Sequence, residues 1–190
     1  MEKEVTTPKQ SGGGGYTFAD KVGAFYLLKM LAGSPPLDSE TGQIESAQFE
    51  KRVDGWFLDD IVLFLSRVDG EKAALAISVK SNPQINATGF PADFTRAAWE
   101  QRLHKQTGKF DAATDYLSLA TSPLDLTVKS ALEALVTKAI DADPSHFAER
   151  VVTAGYENAI GRAIFNSLSC PADVDASRTG SDTAARERQS

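Results

Sequence analysis

The sequence predicts an α/β fold: a mixed central β-sheet flanked by α-helices, with extra helices in the C-terminal third. Three observations carry this. Two adjacent apolar runs, Trp56–Leu65 (WFLDDIVLFL) and Ala73–Asn82 (AALAISVKSN), match the template of a buried strand. Between them Val68-Asp69-Gly70-Glu71 offers Asp-Gly hairpin chemistry. Segments with helical spacing precede and follow this pair, which is the alternation of an α/β protein.

Residues 1–15 are polar and end in Gly12–Gly15, so they read as a flexible tail. A glycine run lacking the Lys-Ser/Thr of a P-loop is a weak phosphate signal. Tyr16–Ala32 predicts a helix with Thr17 as N-cap, stopped by Gly33 and Pro35-Pro36; being apolar on most sides, it is expected to be buried. Ile44–Val53 reads as the first strand, and the two apolar runs complete a three-strand meander. Pro91–Gln106 predicts a helix with Phe94, Ala98, Trp99 and Leu103 as its inward stripe. Tyr116–Thr121 (YLSLAT) reads as a further short strand. Leu126–Ile140, Ser145–Val152 and Glu157–Leu168 then read as helices. From Pro171 the chain turns polar, and residues 173–190 are expected to be disordered. The working organisation is one domain over residues 16–172 between two tails.

Composition narrows the function. At 190 residues and 42% apolar content the chain is long enough for a core of ordinary size. Its single cysteine, Cys170, excludes an internal disulfide framework and a cysteine zinc site. The charged start MEKEVTTPK and the absence of a long apolar run point to a cytoplasmic protein that does not span a membrane. A net charge of -6 argues against general polyanion binding, yet Lys80–Phe110 carries five Lys/Arg against two acids. Arg96, Arg102, Lys105 and Lys109 in that stretch are candidate phosphate contacts, although such residues also make an ordinary solvated helix face. His104 and His146 show no metal-ligand spacing, and Ser122 and Ser130 lack a nucleophile-elbow context.

Two acids, Asp59 and Asp60, interrupt the first apolar run, and Lys80 closes the second. Residues two apart on a strand share a face, so Ser78 and Lys80 project together, and antiparallel pairing brings Asp59 or Asp60 beside them. Carboxylates between apolar neighbours are costly to bury unpaired, which calls for a cationic partner. A plain Asp–Lys ion pair satisfies this as well as a metal does.

The order helix, meander, helix, strand, helices, with Asp59-Asp60 on the second strand and Ser78-Val79-Lys80 on the third, resembles the PD-(D/E)xK, or restriction-endonuclease-like, superfamily. The segments GGGGYTFADKVGAFYLLKMLAG, FLDDIVLFL, LAISVKSN and YLSLATSP look similar to the double-stranded-DNA nuclease domains at the N-terminus of large bacterial anti-phage defence proteins. The likeness covers roughly residues 15 to 170. It implies a restriction-endonuclease-like core, hydrolysis of duplex DNA and a Mg²⁺ or Mn²⁺ ion. It also implies ATPase and sensor regions as partners, or a homo-oligomer. By that resemblance Asp60, or its rival Asp59, is the first metal ligand, Asp20 on the opening helix a further one, and the Val79 carbonyl another. Lys80 would orient the attacking water and stabilise developing charge. Ser78 departs from the pattern: it stands where Glu, Asp or Gln is expected, and a neutral hydroxyl is a weaker ligand. The alternative is a module that binds DNA or a partner protein without cutting.

Overall fold

The computed structural model describes residues 13–50, 55–82, 85–103, 110–153 and 155–174. Its elements run α1 (Gly13–Leu31), a short 3-10 turn (Ser39–Thr41), β1 (Gln43–Phe49), β2 (Ile61–Ser66), β3 (Lys72–Lys80), α2 (Ala92–Leu103), β4 (Tyr116–Thr121), α3 (Leu126–Asp141), α4 (Pro144–Val152) and α5 (Ala159–Ser167). They divide between two compact units, Met1–Asn82 with His104–Ser122, and Pro83–Leu103 with Pro123–Ser190.

The first unit holds a four-stranded mixed sheet in the order β1-β2-β3-β4. The meander expected from the sequence is present, with β1–β2 and β2–β3 antiparallel and β4 parallel to β3. Parallel pairing follows from the long connection between β3 and β4, since a tight turn joins only antiparallel strands. The β2–β3 hairpin turns through Arg67–Glu71. Gly70 N–H donates to Arg67 O at 3.0 Å and Arg67 N–H to Glu71 O at 3.0 Å, with Gly70 at φ 83°. That is a three-residue hairpin loop whose last residue is left-handed, which selects glycine.

Alternation divides the sheet between its two faces. Ile61, Leu63 and Leu65 of β2 with Ala73, Leu75 and Ile77 of β3 form one apolar layer, closed by Tyr26 and flanked by Val22, Met30, Val79, Tyr116 and Ala120. Val22, Tyr26 and Met30 recur every four residues, the stripe by which α1 lies on this face. Ser78 and Lys80 belong to the other face.

Three boundaries and the burial of the first helix differ from the sequence reading. The helix starts at Gly13, so Thr17 is inside it rather than capping it; glycine's low propensity is a weak prior that helix propagation overrides. Residues 1–12 lie outside the described chain. Burial of α1 is one-sided, with Leu28 66% and Leu31 80% exposed against Tyr26 at 7%, because a helix on a sheet buries a single stripe. The second strand begins at Ile61, not Trp56. Trp56 and Leu58 are nonetheless buried, so their apolar run marks core and not strand. At the C-terminal end Val174 is buried and Asp173 pairs with Arg96, so order persists past residue 172. Residues 175–190 lie outside the described chain.

The second unit is helical. Packing of α3 and α4 on α5 buries Val128, Ala131, Leu135, Val151 and Ile164. Lys138 reaches the buried Glu157 at 2.9 Å, linking α3 to the residue just before the Asn158 cap of α5. Helix α2 is fastened by Trp99 Nε1–H donating to Leu168 O at 2.8 Å and by Arg96 pairing with Glu100 and Asp173.

Candidate functional site

Cross-strand register brings Asp60 beside Ser78. Ile61 stands opposite Ile77, so the next pair outward is Asp60 and Ser78. Asp60 Oδ2 accepts hydrogen bonds from the Ser78 hydroxyl at 3.2 Å and from the Val79 amide at 2.7 Å. Asp59 sits half-buried one residue earlier, before β2 begins. Lys80, half-buried, follows Ser78 on the same face and pairs with Thr121 of β4 in the parallel register.

The Val79 contact has a structural reason. Antiparallel pairing with β2 ends at Ile77, whereas pairing with β4 continues to Lys80. Val79 would therefore turn an amide toward a neighbour that has already left the ladder, and an unpaired half-buried amide is costly. The Asp60 carboxylate takes its place. Asp115 does the same at the other end of β3, where its Oδ1 accepts from Ala74 N–H at 2.7 Å, one residue before pairing with β4 begins at Leu75. Asp60 is thus a strand-end cap, whatever else it does.

Only Oδ2 of that carboxylate is committed; Oδ1 accepts no hydrogen bond among the described residues. Ser78 is buried and Asp60 half-buried, so the pair occupies a partly desolvated strand end. Two neighbours escaped the sequence reading. Glu50, whose N–H donates to Asp60 O at 3.3 Å, has φ 54°, a left-handed backbone that a non-glycine residue rarely adopts. Such strain gathers at functional positions. Thr121, opposite Lys80, donates through Oγ1 to Asn82 O at 3.2 Å. No feature of the Glu50 side chain signals its backbone, and Thr121 reads as ordinary strand.

Other candidates stand apart. Asp20 is exposed on α1, whose Val22, Tyr26 and Met30 lie on the face opposite Ser78 and Lys80. Arg96 is engaged by Glu100 at 3.1 Å and by Asp173, and these partners hold its guanidinium pKa above, and the Asp173 carboxyl below, their usual values. Arg102 is exposed at the end of α2. Lys105, Lys109 and His104 lie outside the described residues.

A metal finds a partial ligand set here. Among the described residues no group of three or more His, Cys, Asp or Glu side chains gathers in one place. The oxygens at the strand end are Asp60 Oδ1, the Ser78 hydroxyl and the Val79 carbonyl. That set does not fit an all-protein cage. It fits the mode in which Mg²⁺ keeps several waters and is held by one or two carboxylates together with substrate phosphate.

No family model, curated protein or solved structure matches the chain. Among the described residues no helix is long and apolar enough to cross a membrane.

Proposed function

We propose that this chain is a metal-dependent DNA endonuclease module of restriction-endonuclease-like type, hydrolysing phosphodiester bonds in duplex DNA, with Asp60 and Lys80 as its chemical groups. The observation that carries the reading is the β2–β3 register, which sets Asp60 against Ser78, two residues before Lys80 and on its face. Asp60 Oδ1, assisted by the Val79 carbonyl, would hold a Mg²⁺ or Mn²⁺ ion. When bound, that ion supplies Lewis acidity at a phosphoryl oxygen and a more acidic water. Lys80 stabilises the charge that builds on the phosphoryl group, and the Val79 amide with the Ser78 hydroxyl fixes the orientation of Asp60. By the sequence resemblance, the setting is bacterial anti-phage defence, with ATPase and sensor regions or further copies of the chain as partners.

The test is a Mg²⁺ and Mn²⁺ titration of plasmid cleavage by the purified chain. Lys80→Ala is expected to lower the rate roughly a hundredfold or more. Cleavage that survives this change assigns the activity elsewhere.

Two observations favour a second reading, a non-cleaving module that docks on DNA or a partner protein. Asp60 already has a structural task, and Ser78 adds no charge to the site. Duplex binding without cleavage under either metal, in the wild type and in Ser78→Glu alike and also when fused to an oligomerising partner, selects this reading.

A further inference from the structure

The far end of β2 carries a different kind of place. A cleft of about 360 Å³ opens beside Gly33, Pro35, Ser39, Gln43, Ser66 and Arg67. Ser66 ends β2 while Asp60 precedes its start, so six residues of strand, about 20 Å, separate the two regions.

Its walls are fastened before any ligand arrives. Lys29 Nζ donates to the carbonyls of Pro35 and Pro36 at 2.9 and 3.0 Å. Asp38 caps the 3-10 turn through the amides of Glu40 and Thr41. Gly42, at φ 83°, lies so close to β2 that a Cβ would stand 2.3 Å from Ser66 O. Ligand sites are commonly preformed concavities of roughly this size, with few polar groups placed to fix orientation.

Arg67 is the group that calls for a ligand. Its side chain is only 28% exposed, yet its two ion pairs are loose: Asp69 lies 3.9 Å from Nε and Glu71 3.8 Å from Nη1. Both distances exceed hydrogen-bonding length. Among the described residues no acceptor meets Nη2, and no side-chain N–H of Arg67 makes a hydrogen bond. A guanidinium presents its donors as a planar fork that matches a carboxylate or phosphate. The Ser39 hydroxyl and the Gln43 amide, also without side-chain hydrogen bonds among the described residues, stand at the same cleft.

We propose that this cleft binds a small organic anion, its carboxylate or phosphate received by Arg67 and its body lying along Pro35 and the Gly33–Gly42 wall. Asp69 and Glu71, each more than half exposed, confine the site to anions that reach the guanidinium edge they leave open.

The experiment is an amide-resolved NMR titration of the full chain with inorganic phosphate, adenosine monophosphate and acetate up to millimolar concentration. Saturable shifts are expected at Gly33, Gly42, Gln43 and Arg67, and the stronger of the phosphate and acetate arms identifies the oxyanion. Arg67→Gln should weaken binding roughly tenfold or more, the loss expected for a charge-assisted hydrogen bond. Val68 lines the cleft and is 94% exposed, so Val68→Asp should weaken binding through charge while leaving the urea midpoint unchanged. The proposal is overturned if none of the probes gives saturable shifts, if the shifts centre on Asp60 and Lys80 instead, or if both variants bind as the wild type does.

Discussion

Asp60 shows how one side chain ties stability to chemistry. Replacing it with alanine strands the Val79 amide, and a buried donor left unpaired costs about 1–3 kcal/mol, so Asp60→Ala is expected to lower the urea midpoint as well as abolish cleavage. Asp60→Asn separates the two roles: its amide oxygen still accepts from Val79, while the charge is gone. Stability close to wild type with lost cleavage is expected, and an Asp60→Asn protein as unstable as Asp60→Ala would show that the charge itself holds the strand end. Ser78 offers the converse test. A glutamate there meets Asp60 across a contact that is now 3.2 Å, and two carboxylates at that range repel unless a cation lies between them. Ser78→Glu should therefore melt lower than wild type in a chelator and recover in millimolar Mg²⁺, with cleavage preserved or raised. A melting temperature indifferent to Mg²⁺ in this variant counts against metal at the strand end.

Helix α1 turns the same logic into a pH dependence. Tyr26 is buried against β2 and β3, and burial raises its phenol pKa above the ordinary 10.0 because the phenolate is poorly solvated there. The folded chain thus holds this proton where the unfolded chain releases it. Its stabilising contribution is whole below pH 10 and is lost as pH rises through the higher folded value. Alkaline denaturation is expected to be shallower in Tyr26→Phe than in wild type above pH 10; identical curves would mean that another group governs the alkaline limb. Helix, strand and hairpin were legible because each depends on local pattern. Tyr116–Thr121 coincides with β4, and the Asp-Gly turn falls within the observed loop. What pattern did not reveal is tertiary. Trp56 and Leu58 are as apolar as the strand they precede, and only the ladder itself shows pairing to begin at Ile61. That Asp60 meets Ser78 also required the register, because alternation offers both faces until a partner strand fixes one. Likewise, the exposed side of α1 is as apolar as its buried side, so composition could not locate the stripe that faces the sheet.

Within the span that sequence punctuation sets off as one domain, residues 16–172, the elements divide between two compact units, α1 and β1–β4 in one and α2–α5 in the other. Contacts between distant segments make that division, and no linker composition announces it. Charge is easier to read, and it bounds how DNA binding should behave. The chain carries -6 overall, so attraction for a polyanion depends on few cations. Arg96 is tied to Glu100 and Asp173, which leaves Arg102, Lys105 and Lys109 of the phosphate contacts first considered. Each phosphate neutralised contributes about 0.9 to the slope of log K against log salt, so three cations set a slope no steeper than about -2.7. Fluorescence anisotropy with a short duplex across a salt series measures it. Arg102→Ala is expected to flatten the slope by about 0.9 and Arg96→Ala to leave it unchanged. A slope beyond about -5, or one that responds to Arg96 instead, would place the DNA on a surface other than these residues.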